Sequence, residues 1–104
     1  MTKPAASRHA DIVAVILALR EGEVVTYGDV AEAAGLPGRS RLVGHLLAVS
    51  SDSLDLPWWR VVNSIGRLVP GHEAEQARLL TTEGVEVSVG GRVVVARWGR
   101  FARR

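Results

Sequence analysis

Adjacent tryptophans, Trp58 and Trp59, followed by Arg60, give this sequence its most distinctive chemistry, and that chemistry is not nucleophilic. Indole offers one N–H donor and a broad π face but no basic lone pair, so the pair suits stacking and hydrogen-bond donation, not proton abstraction. The chain has three tryptophans in 104 residues, and two of them stand here. It has no cysteine, which excludes disulfides, thiolate metal ligands and a cysteine nucleophile. Ser64 and Ser88 offer hydroxyls, but neither has a base placed by any motif. His9, His45 and His72 are too scattered to read as a metal site, so neither a metal nor a cofactor is expected.

A second group of residues suggests contact with a polyanion. Arg41, Gly44, His45 and Ala48 fall at i, i+3, i+4 and i+7, which places them on one face of a helix. That face is a narrow ridge of small side chains with Arg41 at its N-terminal end and Arg39 just before it. Glycine inside a helix costs about 1 kcal/mol relative to alanine, so Gly44 requires a reason. One reason is close helix packing. The other is close approach of a bulky group such as a sugar-phosphate backbone.

The elements that must position these residues follow from periodicity and turn chemistry. Ser7 is expected to cap a first helix reaching about Arg20, with Ile12, Val13, Ile16, Leu17 and Leu19 on its apolar face and Gly22 as its stop. Val24-Val25 reads as a short extended link. Thr26-Tyr27-Gly28-Asp29 reads as the start of a second, short helix that turns Val30, Ala33 and Ala34 inward and stops at Gly35. After the Leu36-Pro37-Gly38 turn, a third helix over about Arg39–Val49 buries Leu42, Val43, Leu46, Leu47 and Val49. Short helix, glycine turn, helix is the helix-turn-helix pattern.

Pro57 makes a strand starting before it unfavourable. If the backbone is already extended at Trp58-Trp59, one indole faces the core and the other the surface. Val61-Val62, the Asn63–Gly66 turn and Arg67–Val69 read as a hairpin that serves as a wing. Glu73 to about Glu83 reads as a fourth helix closed by Gly84, and Gly90-Gly91 as a two-residue hairpin turn between Val85–Val89 and Arg92–Ala96. The expected fold class is α+β, a small winged helix-turn-helix domain.

One domain accounts for the whole of 1–104, with residues 97–104 as a basic tail. Apolar residues at 47% and charged residues at 23% describe a globular chain, not a disordered one. Net charge is only +2, but arginine collects at positions 39, 41, 60 and 67 and along the C-terminal end, which fits a polyanion partner. No apolar run approaches the roughly 20 residues of a membrane span, so no membrane partner is expected. The N-terminus shows no secretory pattern, and the simplest compartment is the cytoplasm.

Four motifs occur in order: Val25-Thr26-Tyr27-Gly28-Asp29-Val30-Ala31, Ser40-Arg41-Leu42-Val43-Gly44, Leu56-Pro57-Trp58-Trp59-Arg60-Val61-Val62-Asn63, and Leu79-Leu80-Thr81-Thr82-Glu83-Gly84. With these, residues 8–90 resemble the DNA-binding, active-site domain of the O6-alkylguanine-DNA alkyltransferases. They resemble more closely the alkyltransferase-like proteins, in which tryptophan replaces the reactive cysteine. The resemblance implies that Trp58 stands at the position of the alkyl-accepting cysteine and Trp59 at that of the histidine that activates it. It implies that Arg41 is the finger that fills the gap left by an extruded nucleotide. Tyr27 would turn the 3′ phosphate, and Glu83 would end the proton network. Tyr27, Arg39, Arg41 and Gly44 are then the expected DNA contacts, and Tyr27, Trp58, Trp59, Arg60 and Val61 the expected lesion pocket, with no catalytic residue.

The implied function is a non-enzymatic sensor, a monomer that binds double-stranded DNA containing O6-alkylguanine. It flips the base into a pocket and flags it to nucleotide excision repair proteins. Base flipping costs a few kcal/mol, and stacking on an aromatic side chain contributes roughly 1–3 kcal/mol against that cost. Two departures stand out. Trp59 replaces a histidine usual in both subfamilies and either narrows the pocket or packs behind it. Ser50 replaces an asparagine that organises the turn before the active-site motif. The competing expectation is a winged-helix transcriptional regulator reading undamaged DNA, for which the exposed face of the third helix offers few base-reading side chains.

Overall fold

The computed structural model of the protein describes residues 4–94, and the expected basic tail, with Trp98 and Phe101, lies outside the described residues. The elements are α1 (Ala5–Leu17), β1 (Val25–Thr26), α2 (Tyr27–Ala33), α3 (Ser40–Ser50), a single 3-10 turn (Trp58–Arg60), β2 (Val61–Val62) and α4 (Glu73–Thr82). Packing separates the chain into two compact units. Among the described residues, one joins 4–19 with Tyr27–Trp58, and the other joins Arg20–Thr26 with 59–94.

The first unit is helical. α1 begins before Ser7, because Pro4 takes the cap position and its carbonyl accepts the Arg8 N–H at 3.0 Å. A proline suits a helix start, where no intrahelical partner exists for its missing N–H. The helix also ends earlier than Arg20, at Leu17, which is 55% exposed; Ile12 and Ile16 carry the fully buried face. α2 starts at Tyr27 as expected, with Asp29 in its first turn favouring the helix dipole. Its buried residues are Val30 and Ala31, with Ala34 just beyond, while Ala33 faces solvent. In α3, Val43, Leu46 and Leu47 are buried and Val49 is exposed. α2 packs on both α1 and α3, giving the helix-turn-helix.

The second unit holds the sheet, and its pairing differs from the expected hairpin. β2 pairs in parallel with β1, Val25 with Val61 and Thr26 with Val62. The link expected at Val24-Val25 is therefore a strand partner, and residues 27–60 form the long crossover that parallel pairing demands. Asn63 still makes the turn: its Oδ1 accepts the N–H of Ile65 at 3.1 Å and of Arg67 at 2.8 Å. Arg67 then pairs antiparallel with Arg92, and Val87 with Val93. The Gly90-Gly91 turn is also one residue longer than expected. Ser88 N–H donates to the Arg92 carbonyl and Gly91 N–H to the Ser88 carbonyl, leaving Val89, Gly90 and Gly91 as a three-residue loop. Gly91 takes φ +78°, the left-handed position that such a loop requires.

Val24, Val62, Leu68, Leu80, Val85 and Val93 form this unit's core. Among the described residues no helix is long and apolar enough to cross a membrane, and no cluster of three metal-ligating side chains occurs.

Candidate nucleic-acid interface

Two elements of the helical unit, α2 and α3, carry the expected DNA-contacting residues. Arg39 occupies the N-cap position of α3 and Arg41 its second residue; both are exposed and neither has an acidic partner among the described residues. His45 and Ala48 are exposed on the same ridge. Tyr27 opens α2 and lies beside Gly44, where an added Cβ would stand 3.9 Å from the Tyr27 ring. That is ordinary contact distance, so packing against Tyr27 does not by itself require glycine at 44. Burial pushes the Tyr27 phenol above its usual value.

Trp58 is set by a local device. Leu56 is buried, and its carbonyl accepts the Trp58 N–H at 2.8 Å across Pro57, a three-residue turn for which proline's fixed φ is well suited. The backbone is a 3-10 turn from Trp58 to Arg60, so the strand alternation considered for the two indoles does not apply there. Trp58 is half-buried.

In the sheet unit, Trp59 and Arg60 are committed to Glu83. Trp59 packs against the apolar core, and its indole N–H donates to Glu83 Oε2 at 2.8 Å. Arg60 Nε donates to both carboxylate oxygens, at 3.0 and 3.2 Å, and Nη2 donates to Oε2 at 2.6 Å. The guanidinium carbon also lies 5.3 Å from the centre of the Trp59 ring, a cation–π contact. The Gly22 N–H supplies a further donor to Glu83 at 2.8 Å. Gly22 has φ +83°, and a Cβ there would approach the Glu83 carbonyl oxygen to 3.3 Å. Glycine fits for both reasons.

Glu83 sits at the C-terminal end of α4, where the helix dipole disfavours negative charge, so the carboxylate needs these donors. Burial pulls its pKa upward. The hydrogen bonds from Arg60, Gly22 and Trp59 and the Arg60 charge more than offset that and hold it below the usual glutamate value. The side chains are 15% exposed for Arg60 and 9% for Glu83.

The expected pocket residues stand in different settings. Trp59 packs against the sheet unit's core and donates to Glu83, Arg60 is an internal ion-pair partner, and Val61 is fully buried in β2. Tyr27 and Trp58 keep exposed surface.

Gln76 was not anticipated. It is 0% exposed, accepts the Val69 N–H through Oε1 at 2.7 Å, and donates through Nε2 to the carbonyls of Trp59 at 3.1 Å and Val61 at 3.2 Å. α4 thereby fixes the backbone on either side of Arg60. Its only sequence signal is a polar residue four positions before Leu80, on the helix's buried face.

Residues 7–85 match the family described as 6-O-methylguanine DNA methyltransferase, DNA binding domain. A DNA base-flipping protein of Vibrio parahaemolyticus is 39% identical over 84% of this chain and 89% of its own length. Alkyltransferase-like protein 1 of Schizosaccharomyces pombe is 36% identical over 64% of this chain and 65% of its own length. The crystal structure of S. pombe Atl1 in complex with damaged DNA containing O6-carboxymethylguanine superposes with a TM-score of 0.75 at 27% identity, covering 88% of this chain and 90% of that one. A family match across most of the chain, with the fold and relatives that accompany it, establishes that this chain belongs to the 6-O-methylguanine DNA methyltransferase DNA-binding domain family, among its alkyltransferase-like members.

Proposed function

We propose that the protein is a non-enzymatic sensor of O6-alkylguanine in double-stranded DNA. It turns the damaged base out of the duplex and flags it for nucleotide excision repair proteins, acting as a monomer in the cytoplasm. The observation that carries this is the Trp59–Glu83 hydrogen bond in a chain without cysteine. Accepting an alkyl group requires a soft nucleophile and a base to generate it. The residue next to Trp58 instead holds a one-way N–H donor aimed at the carboxylate. The relatives named for base flipping, and one solved on damaged DNA, favour lesion binding as the function left without that chemistry.

Tyr27 and Arg41 act at the DNA, Arg41 by filling the space of the extruded nucleotide. Arg39 and the Gly44 ridge lie along the backbone, and Trp58 is the aromatic wall on which the base stacks. Trp59 and Arg60 are held by Glu83 within the sheet unit.

Affinity for matched duplexes with and without a single O6-methylguanine tests this, together with mass spectrometry of DNA and protein after long incubation. Tighter binding of the lesion duplex with the methyl group retained on DNA is expected. Equal affinity would leave the winged-helix regulator of undamaged DNA, and methyl transfer to the protein would make it an enzyme.

A further inference from the structure

Arg67 and Arg92 face each other across an antiparallel pair. Leu68 N–H donates to the Gly91 carbonyl at 3.1 Å and Val93 N–H to the Gly66 carbonyl at 2.8 Å, while Arg67 and Arg92 exchange no backbone bond. They are therefore a non-hydrogen-bonded pair, the geometry in which facing Cα atoms are closest, about 4.5 Å, and the side chains project together. Leu68 and Val93, their chain neighbours, are buried at 2%, so alternation turns both arginines to the solvent face, and both are exposed.

Like charges directly opposite each other destabilise a strand pair. No acid relieves this one: neither guanidinium has an ion-pair partner among the described residues. Across from Arg92 on its other side is Ser88, which is uncharged, and the hairpin's acid, Glu86, lies opposite Val94. Two adjacent planar forks with a shared repulsion and no counter-charge among the described residues suit an external anion with several acceptor oxygens.

We propose that Arg67 and Arg92 form a phosphate-binding site on this antiparallel pair, which grips the DNA backbone separately from the helix-turn-helix. The assignment rests on the DNA binding proposed above but not on lesion recognition. The site adds affinity that is independent of sequence and damage, and its salt dependence gives it away. Neutralising one phosphate contributes about 0.9 to the slope of log affinity against log salt.

The test is titration of an undamaged duplex and its O6-methylguanine counterpart between 50 and 200 mM salt, with the wild type, R67Q/R92Q and R67K/R92K. The Gln variant should lose about 0.9 from the slope if the arginines share a phosphate and about 1.8 if they take two. Over that fourfold salt range the affinity gap to the wild type then narrows about 3.5-fold or about 12-fold. Both duplexes should be affected equally, and the Lys variant should keep the wild-type slope. A melting temperature in low salt no lower than that of the wild type shows that R67Q/R92Q is folded. An unchanged slope, or a loss confined to the lesion duplex, overturns the site. A wild type with no lesion preference defeats the sensor function instead, and leaves the slope comparison on undamaged DNA intact.

Discussion

Removing the Glu83 carboxylate should destabilise the sheet unit more than any other single polar deletion. Glu83→Ala takes the acceptor from Gly22 N–H, Trp59 Nε1 and the Arg60 guanidinium at once. With the two charged side chains only 9% and 15% exposed, breaking the pair from one side should cost about 3–5 kcal/mol. That is a large part of the roughly 5–15 kcal/mol that stabilises a whole domain. Glu83→Gln retains an acceptor but loses the charge and should cost about 1–3 kcal/mol. At about 4–8 °C per kcal/mol, the two changes are readily separated by melting temperature. Urea unfolding followed by far-UV circular dichroism gives the free energies.

The pH dependence tests the cause. The folded pKa of Glu83 lies below the unfolded value, so its stabilisation is complete above the unfolded value of about 4.3. It is lost progressively as the pH falls below that value and through the folded one. The stability gap between wild type and Glu83→Gln should therefore be widest at neutral pH and shrink toward pH 3. A gap that stays constant over that range, or a Glu83→Ala loss under about 1 kcal/mol, would refute the clamp.

Gln76→Leu keeps most of the volume but leaves the Val69 N–H and the carbonyls of Trp59 and Val61 without their partner. A loss of about 2–4 kcal/mol is expected in urea unfolding, because an unmet buried group costs roughly 1–3 kcal/mol but Trp59 and Val69 are only half-buried, so water meets part of the need there. Gly44→Ala should raise stability by up to about 1 kcal/mol, because its Cβ meets the Tyr27 ring only at ordinary contact distance. If DNA approaches that ridge closely, the same variant binds duplex DNA more weakly; unchanged affinity would remove Gly44 from the interface. Trp58→Cys should show little alkyl transfer from labelled duplex, because Trp59 cannot accept the thiol proton and its N–H is held by Glu83. Trp58→Cys with Trp59→His should transfer more, and a single variant as fast as the double one would contradict the role given to position 59.

The lack of cysteine, the helix-turn-helix and the exposed ridge from Arg41 to Ala48 were legible in the sequence, because composition and a 3.6-residue period are local properties. So was the Asn63 turn, whose side chain bonds within four residues of itself. Strand pairing was not. β1 and β2 are two residues each, too short to show a pattern, and the choice of Val25 over Arg67–Val69 as partner for Val61 is a long-range matter. The fate of the Trp-Trp-Arg stretch was decided the same way. Residue type says that Trp59 can donate one hydrogen bond, but only the tertiary structure brings Glu83, 24 positions away, to receive it. The same carboxylate meets the backbone of Gly22, 61 positions distant. Trp58 and Trp59 have the same side chain but different roles, because Pro57 turns one at the end of the helical unit while Glu83 and Gln76 hold the next against the core of the other.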